Sequence, residues 1–174
     1  MISPREYNSA SNKNEIYGEF KNQEYINLIK ELPYPILKMI DVGSGCGKGL
    51  IYLCKSKIGK DLEYVCGIEI NEYRYTKSKS LLSIQAPSIQ NKLEFVCEDF
   101  KNITFVSYDL VYCCNIMFEP ELNKKLIDKL LQEKISIFIL YTIEPRCRHL
   151  FWKRILVNTS WLSTVPVYFY WRDY

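Results

Sequence analysis

Apolar residues change rhythm several times along this chain, and the changes predict its elements. Residues 1–15 are polar, rich in Asn, Ser and Lys, and carry no periodicity, which reads as a flexible arm. Phe20, Tyr25, Ile26, Ile29 and Leu32 then recur at the spacing of one helix face, and Pro33 and Pro35 end that helix. The run 37–42 is a first strand. A helix follows the glycine-rich stretch after it, runs to about Lys57 and closes at Gly59. The apolar run 62–70 has the unbroken character of a strand buried on both faces. Asn71 is placed to cap a helix that continues to about Gln85. Runs at 93–97, 109–114 and 135–141 are further strands. Between the last two, Pro120 falls in a helix first turn, ahead of an apolar stripe of Leu122, Leu126, Ile127, Leu130 and Leu131. The tail holds two runs, 155–162 and 167–171, with Ser163-Thr164 at the turn between them. Strand and helix alternate from 20 to 141. The predicted fold is therefore α/β, a Rossmann-like doubly wound, mostly parallel sheet of seven strands that ends in a C-terminal antiparallel hairpin. Residues 16–174 read as one domain without internal repeats.

Composition changes this picture little. Of 174 residues, 48% are hydrophobic and 25% charged, ordinary values for a globular domain, and the net charge of +3 permits an acidic partner without requiring one. The seven cysteines include one adjacent pair, Cys113-Cys114, but no CxxC spacing, and His149 is the single histidine. That argues against zinc or any other metal site and for buried free thiols in a reducing compartment. The N-terminus has no basic-then-apolar signal pattern and no apolar run approaches the ~20 residues of a membrane span. The expectation is an intracellular protein, cytoplasmic or nuclear, with no membrane partner. The segment 144–154 interleaves Arg146, Arg148, His149, Lys153 and Arg154 with Leu150, Phe151 and Trp152. It reads as a solvated face, or else as a contact for an acidic partner or nucleic acid, and no second feature supports the latter.

The chemistry concentrates at 41–49, Asp-Val-Gly-Ser-Gly-Cys-Gly-Lys-Gly, between a strand and a helix. Glycines there let the backbone turn sharply and approach a ligand closely. Gly43, Gly45 and Gly47 follow a G-x-G-x-G spacing, with Lys48 where a dinucleotide fingerprint puts its third glycine. Asp41, two residues before the first glycine, would repel a pyrophosphate and attract a cation. A P-loop is excluded because Lys48 is followed by Gly49 and not by Ser or Thr. Two more acids lie at the ends of the next strands. Glu69 comes 22 residues after Gly47, the separation of an acid that receives ribose hydroxyls. Asp99-Phe100 can accept from an adenine amino group and pack on the base. An adenosyl ligand that carries positive charge satisfies all three acids, and S-adenosylmethionine has a sulfonium and an ammonium group.

After the fourth strand comes Asn115-Ile-Met-Phe118-Glu-Pro120-Glu121. An Asn at this position faces the transferred group, but Ile116 and Met117 stand where nucleic-acid base-amine methyltransferases have prolines. The segment resembles the Asn-Phe-Ala-Phe-Gly-Pro-Glu segment of the disruptor-of-telomeric-silencing type, non-SET histone-lysine methyltransferases, with Glu119 in place of a glycine. Tyr17-Gly18-Glu19 is similar to that family's Tyr-Gly-Glu loop, which closes over the methionine end of the cofactor. The stretch 41–47 is similar to its Asp-Leu-Gly-Ser-Gly-Val-Gly loop. Val157-Asn158-Thr159-Ser160-Trp161 with Pro166-Val167-Tyr168 resembles its C-terminal hairpin, which lines the lysine channel, although the spacing from Trp161 to Pro166 is one residue longer.

This resemblance implies S-adenosylmethionine-dependent methyl transfer to a protein lysine, on histone or another protein. It makes Tyr17 and Glu19 cofactor residues beside Asp41, Gly43, Gly45, Gly47, Lys48, Glu69, Asp99 and Phe100. Asn115 then orients the amine or the cofactor through its amide oxygen, and Tyr17, Phe118, Trp161 and Tyr168 form an aromatic channel for the lysine stem. Two other readings stay open. One is a methyltransferase for RNA or a small molecule, in which the basic segment and the hairpin frame a wider cleft. The other is an inactive, cofactor-binding partner subunit with a closed acceptor opening.

Overall fold

The computed structural model describes residues 22–159 and 164–173. The expected sheet is present, with seven strands in the order β3-β2-β1-β4-β5-β7-β6. Strands β1 (Lys38–Val42), β2 (Tyr64–Glu69), β3 (Leu93–Cys97), β4 (Leu110–Cys113) and β5 (Ile137–Leu140) run parallel. Strands β6 (Phe151–Val157) and β7 (Val165–Trp171) form an antiparallel pair, and β7 joins the parallel part through β5. Among the described residues the α-helices are α1 (Asn22–Lys30), α2 (Lys48–Lys55), α3 (Glu72–Ser83), α4 (Pro87–Gln90) and α5 (Pro120–Gln132).

Side chains along a strand alternate between faces, so each strand feeds two cores. Met39 on β1 joins Tyr25 and Leu28 of α1 and Leu50 and Leu53 of α2 on one face. Ile40 joins Leu126, Ile127 and Leu130 of α5 on the other. The chain therefore moves from one face of the sheet to the other at β1, whose neighbours are β2 on one side and β4 on the other. This reversal of strand order opens a crevice at the C-terminal ends of β1 and β4, where doubly wound folds bind ligands.

The element ends differ from the sequence expectation in physically intelligible ways. Helix α2 stops at Lys55 because Ser56 caps it: the Ser56 hydroxyl donates to the Leu53 carbonyl at 2.7 Å and accepts from Gly59 N–H at 3.0 Å. Helix α4, started by Pro87, escaped the periodicity because it is a single turn. The last hairpin shifts most. Strand β6 begins at Phe151, not at 155, and ends at Val157, not at 162. Lys153 and Arg154 break its apolar pattern, but β6 is an edge strand with one flank in water, where charge is tolerated. Pro166 sits in β7, a strand with two neighbours, at a level where only β6 pairs with it; the β5 ladder begins at Tyr168. The turn expected at Ser163-Thr164 falls partly outside the described residues.

Phe138 shows how the hairpin is fastened to the parallel sheet. Its ring is fully buried and stacks on Tyr170 of β7 at 4.8 Å between centroids. Phe138→Ala is expected to cost about 3–5 kcal/mol in chemical denaturation, because the site is packed from both faces and cannot collapse onto the void.

Candidate active site

The loop between β1 and α2 lies at the sheet's crevice, and its backbone takes left-handed turns at Gly43 (φ 85°), Gly45 (φ 60°) and Gly47 (φ 72°). Gly47 is constrained twice. Besides its positive φ, a Cβ there would lie 2.2 Å from Cζ of Phe95, the β3 ring that fills the space beneath the loop. The loop's amides are turned toward β2. Gly43 and Ser44 both donate to the Ile68 carbonyl at 2.9 Å, Gly45 donates to Glu69 Oε2 at 2.9 Å, and Gly47 donates to the Ser44 carbonyl at 3.1 Å. A loop that binds a pyrophosphate presents such amides to the ligand; here they are engaged within the protein.

Asp41 and Glu69 are both buried, with 1% and 5% of their surfaces exposed. Asp41 lies under the loop on the α1 face of the sheet, and its Oδ2 accepts a hydrogen bond from the Tyr25 hydroxyl at 2.8 Å. Burial pushes its carboxyl up to about 7, against the opposing pull of the Tyr25 hydrogen bond, and the nearby Glu69 carboxylate adds to the rise. Glu69 links the loop to α3, since its two oxygens accept from Gly45 N–H and from Asn71 N–H, each at 2.9 Å. Burial raises its carboxyl as well, opposed first by the Asn71 amide and then by the Arg74 guanidinium, 4.0 Å away. Buried carboxylates held short of a full set of cations mark a place where a ligand completes the charge balance.

The third acid behaves differently. Asp99 caps a 3₁₀ turn at Phe100–Asn102, accepting from Lys101 N–H at 3.0 Å, and its other oxygen pairs with Lys101 Nζ at 2.8 Å. Phe100 is buried and stacks on Phe118, with centroids 6.3 Å apart and planes 12° apart. That stack joins the segments after β3 and β4. Lys48 opens α2 with its side chain exposed.

Asn115 departs most from its expected role. Its side chain is buried, and its amide oxygen accepts from Tyr141 N–H at 2.8 Å and Thr142 N–H at 3.2 Å. Its amide nitrogen donates to Asn123 Oδ1 and Thr142 Oγ1, both at 2.6 Å. The oxygen assigned to the acceptor amine is thus occupied by backbone, and Asn115 ties the end of β4 to the end of β5 and the start of α5. Tyr168 is half-buried on β7, opposite Leu140 at the C-terminal end of β5. It packs on the same core as Phe118, which is also half-buried. Tyr17, Glu19 and Trp161 lie outside the described residues.

The structure adds two residues to the site. Ile70 directly follows Glu69 at the end of β2 and is an apolar side chain 58% exposed. Tyr25 enters through its hydroxyl on Asp41. The sequence signal for Ile70 was its place after the ribose acid at a strand end; Tyr25 carried none beyond its helical period. The basic segment divides into a 3₁₀ helix, Pro145–Leu150, and the start of β6. Arg146 pairs with Glu144 at 3.0 Å and Asp128 at 2.5 Å, and Lys153 pairs with Glu31. Arg148, His149 and Arg154 are exposed. Of the cysteines expected to be buried, Cys97 at the end of β3 is exposed and Cys114 half-buried.

No known family profile and no curated protein matches the chain. Solved structures do. Magnesium protoporphyrin IX methyltransferase (ChlM) from Synechocystis, with bound S-adenosylmethionine, superposes at a TM-score of 0.65 with 18% identity, covering 87% of this chain and 79% of that one. The methyltransferase domain of bacterial CtHen1 gives 0.68 with 11% identity, covering 87% and 97%. TrmK from M. capricolum, in complex with S-adenosylhomocysteine, gives 0.62 with 13% identity, covering 86% and 68%. The fold is that of class I S-adenosylmethionine-dependent methyltransferases.

Two outcomes follow for the isolated protein. Asp41 binds its proton more tightly folded than unfolded, so its ionisation removes stability as the pH rises from the ordinary carboxylate range to about 7, and the loss is constant above that. Asp41→Asn is expected to raise the melting temperature at pH 8 by several degrees, with the gain shrinking as the pH falls toward about 4. Asn115→Ala leaves the buried Tyr141 N–H and the part-buried Thr142 N–H without their acceptor and is expected to cost about 2–4 kcal/mol by denaturant titration.

Proposed function

We propose that the protein is an S-adenosylmethionine-dependent methyltransferase acting on an amine, most specifically a protein lysine. The observation that carries the cofactor assignment is the pairing of the glycine loop with two buried carboxylates and with amides that are spent on β2. A cationic adenosyl ligand suits such a site and a pyrophosphate does not. The residues present fit the group: Asp41 takes the ammonium end, Glu69 the ribose hydroxyls, and Ile70 with Asp99 the base. When bound, the cofactor supplies a methyl carbon made electrophilic by its sulfonium sulfur. Structures of similar fold that hold S-adenosylmethionine or S-adenosylhomocysteine support the same reading.

The lysine acceptor rests on the segments at 115–121 and 157–168 and their likeness to the histone-lysine family. The chain's task toward such an acceptor is modest. It must desolvate the amine, favour its neutral form and hold it in line with the methyl group. Phe118 and Tyr168 supply apolar walls for an alkyl stem. With the cofactor held by Asp41 and Glu69, these walls would bring the neutral amine nitrogen in line with the methyl carbon, and the proton released on transfer would pass to solvent.

A second reading, an RNA or small-molecule acceptor, stays open because of one observation: the Asn115 oxygen that the lysine reading uses is committed to Tyr141 and Thr142. Incubation with radiolabelled S-adenosylmethionine and, separately, core histones, nucleosomes, protein lysate and RNA decides between them. Label in protein, removed by prior acetylation of lysines, is the expected result; label in RNA alone contradicts the lysine assignment. A protein that binds the cofactor and labels nothing fits an inactive partner subunit. Gly45→Arg is expected to abolish binding of S-adenosylhomocysteine in calorimetry, since Gly45 is buried, has a φ of 60° and donates to Glu69.

A further inference from the structure

Tyr25 stands apart from the other aromatics of the core. It is carried by α1, the helix that precedes the first strand, and its ring is buried between two parts of the site. On one side it fills the space left by Gly49 at the start of α2, where a Cβ would lie 2.3 Å from the Tyr25 Cε2. On another it meets Tyr112 of β4, with ring centroids 5.0 Å apart. Tyr112 in turn donates to the Tyr141 hydroxyl at 3.1 Å, and the Tyr141 amide is one of those held by Asn115. At the end of this chain of contacts, the Tyr25 hydroxyl donates to Asp41.

We infer that Tyr25 is a positioning residue of the cofactor site: its hydroxyl holds the Asp41 carboxylate in place to receive the ammonium group of the ligand. The inference rests on the S-adenosylmethionine reading above. Among the described residues, the titratable groups that act on Asp41 include Tyr25 on α1, Cys66 and Glu69 on β2, Tyr112, Cys113 and Cys114 at β4, and Tyr141 after β5. None of these is a cation. Burial and the Glu69 charge favour the protonated carboxyl, and the Tyr25 hydroxyl is the influence that opposes them. A hydroxyl donated to a carboxylate stabilises its charged form. Without it Asp41 keeps its proton to higher pH, and a neutral carboxyl attracts an ammonium group far less.

Tyr25→Phe removes the hydroxyl and keeps the ring that packs on Gly49 and Tyr112. Calorimetry would compare two ligands at pH 7.0 and 8.5. One is S-adenosylhomocysteine, which carries the ammonium group. The other is 5′-methylthioadenosine, which shares the adenosyl part and lacks the amino-acid end. The variant is expected to bind S-adenosylhomocysteine about tenfold or more weakly at pH 7.0, with most of the loss recovered at pH 8.5, and to bind 5′-methylthioadenosine within about twofold of the unmodified protein. Unchanged S-adenosylhomocysteine affinity would overturn the inference. So would equal weakening of both ligands at both pH values, which would make Tyr25 a packing residue only. If the unmodified protein binds neither ligand, the cofactor reading itself fails and the inference falls with it.

Discussion

Two buried carboxylates held at one glycine loop are the constraint on which this structure turns. Placing Asp41 and Glu69 out of water costs free energy unless partners compensate, and the partners present are hydrogen-bond donors more than cations. Tyr25 compensates one, the Gly45 and Asn71 amides the other, with Arg74 at the limit of ion-pair distance. These partners belong to three elements: α1, the glycine loop and the start of α3. The loop's path, the start of α3 and the docking of α1 against α2 are therefore fixed by the need to satisfy the same two charges.

That constraint also explains why the loop is not a phosphate cradle. The sheet's crevice offers a ligand site by topology alone, and its chemistry depends on where the loop amides point. Here they close back on β2 through the Ile68 carbonyl and the Glu69 carboxylate. Beside the loop stand the buried Asp41 and Glu69 and the exposed Ile70. At the end of β4 Asn115 does comparable work, joining β4, β5 and α5 through four hydrogen bonds of one amide. The two halves of the crevice are each built around a buried polar side chain from the strand ends.

The sheet was legible in the sequence because its strands are apolar enough to be buried on both faces, and because Asn71 and Pro120 announce helix starts unambiguously. The hairpin was less so: Lys153 and Arg154 in β6 belong to an edge strand, whose exposed flank frees it from the apolar pattern. The positions of Asp41 and Glu69 beside the glycine loop were readable because strand ends and loop spacing fix where they fall. Asn115 was placed correctly in the fold, but nothing in a linear sequence tells an amide that faces a ligand from one that binds the backbone of a strand 26 residues later. Tyr25 was hidden for the same reason: its hydroxyl meets Asp41 across a tertiary contact between helix and strand, and its helical spacing reports only that its ring is buried.

A crystal structure with S-adenosylhomocysteine would show whether the crevice over residues 41–49 takes an adenosyl ligand with a cationic end. The expected result is ligand density over the loop, with its amino-acid end toward Asp41, the Tyr25 hydroxyl still on that carboxylate, and Glu69 turned to the ribose hydroxyls. A ligand found elsewhere on the molecule, or the crevice empty at saturating ligand with Glu69 still on the Gly45 amide, would contradict it.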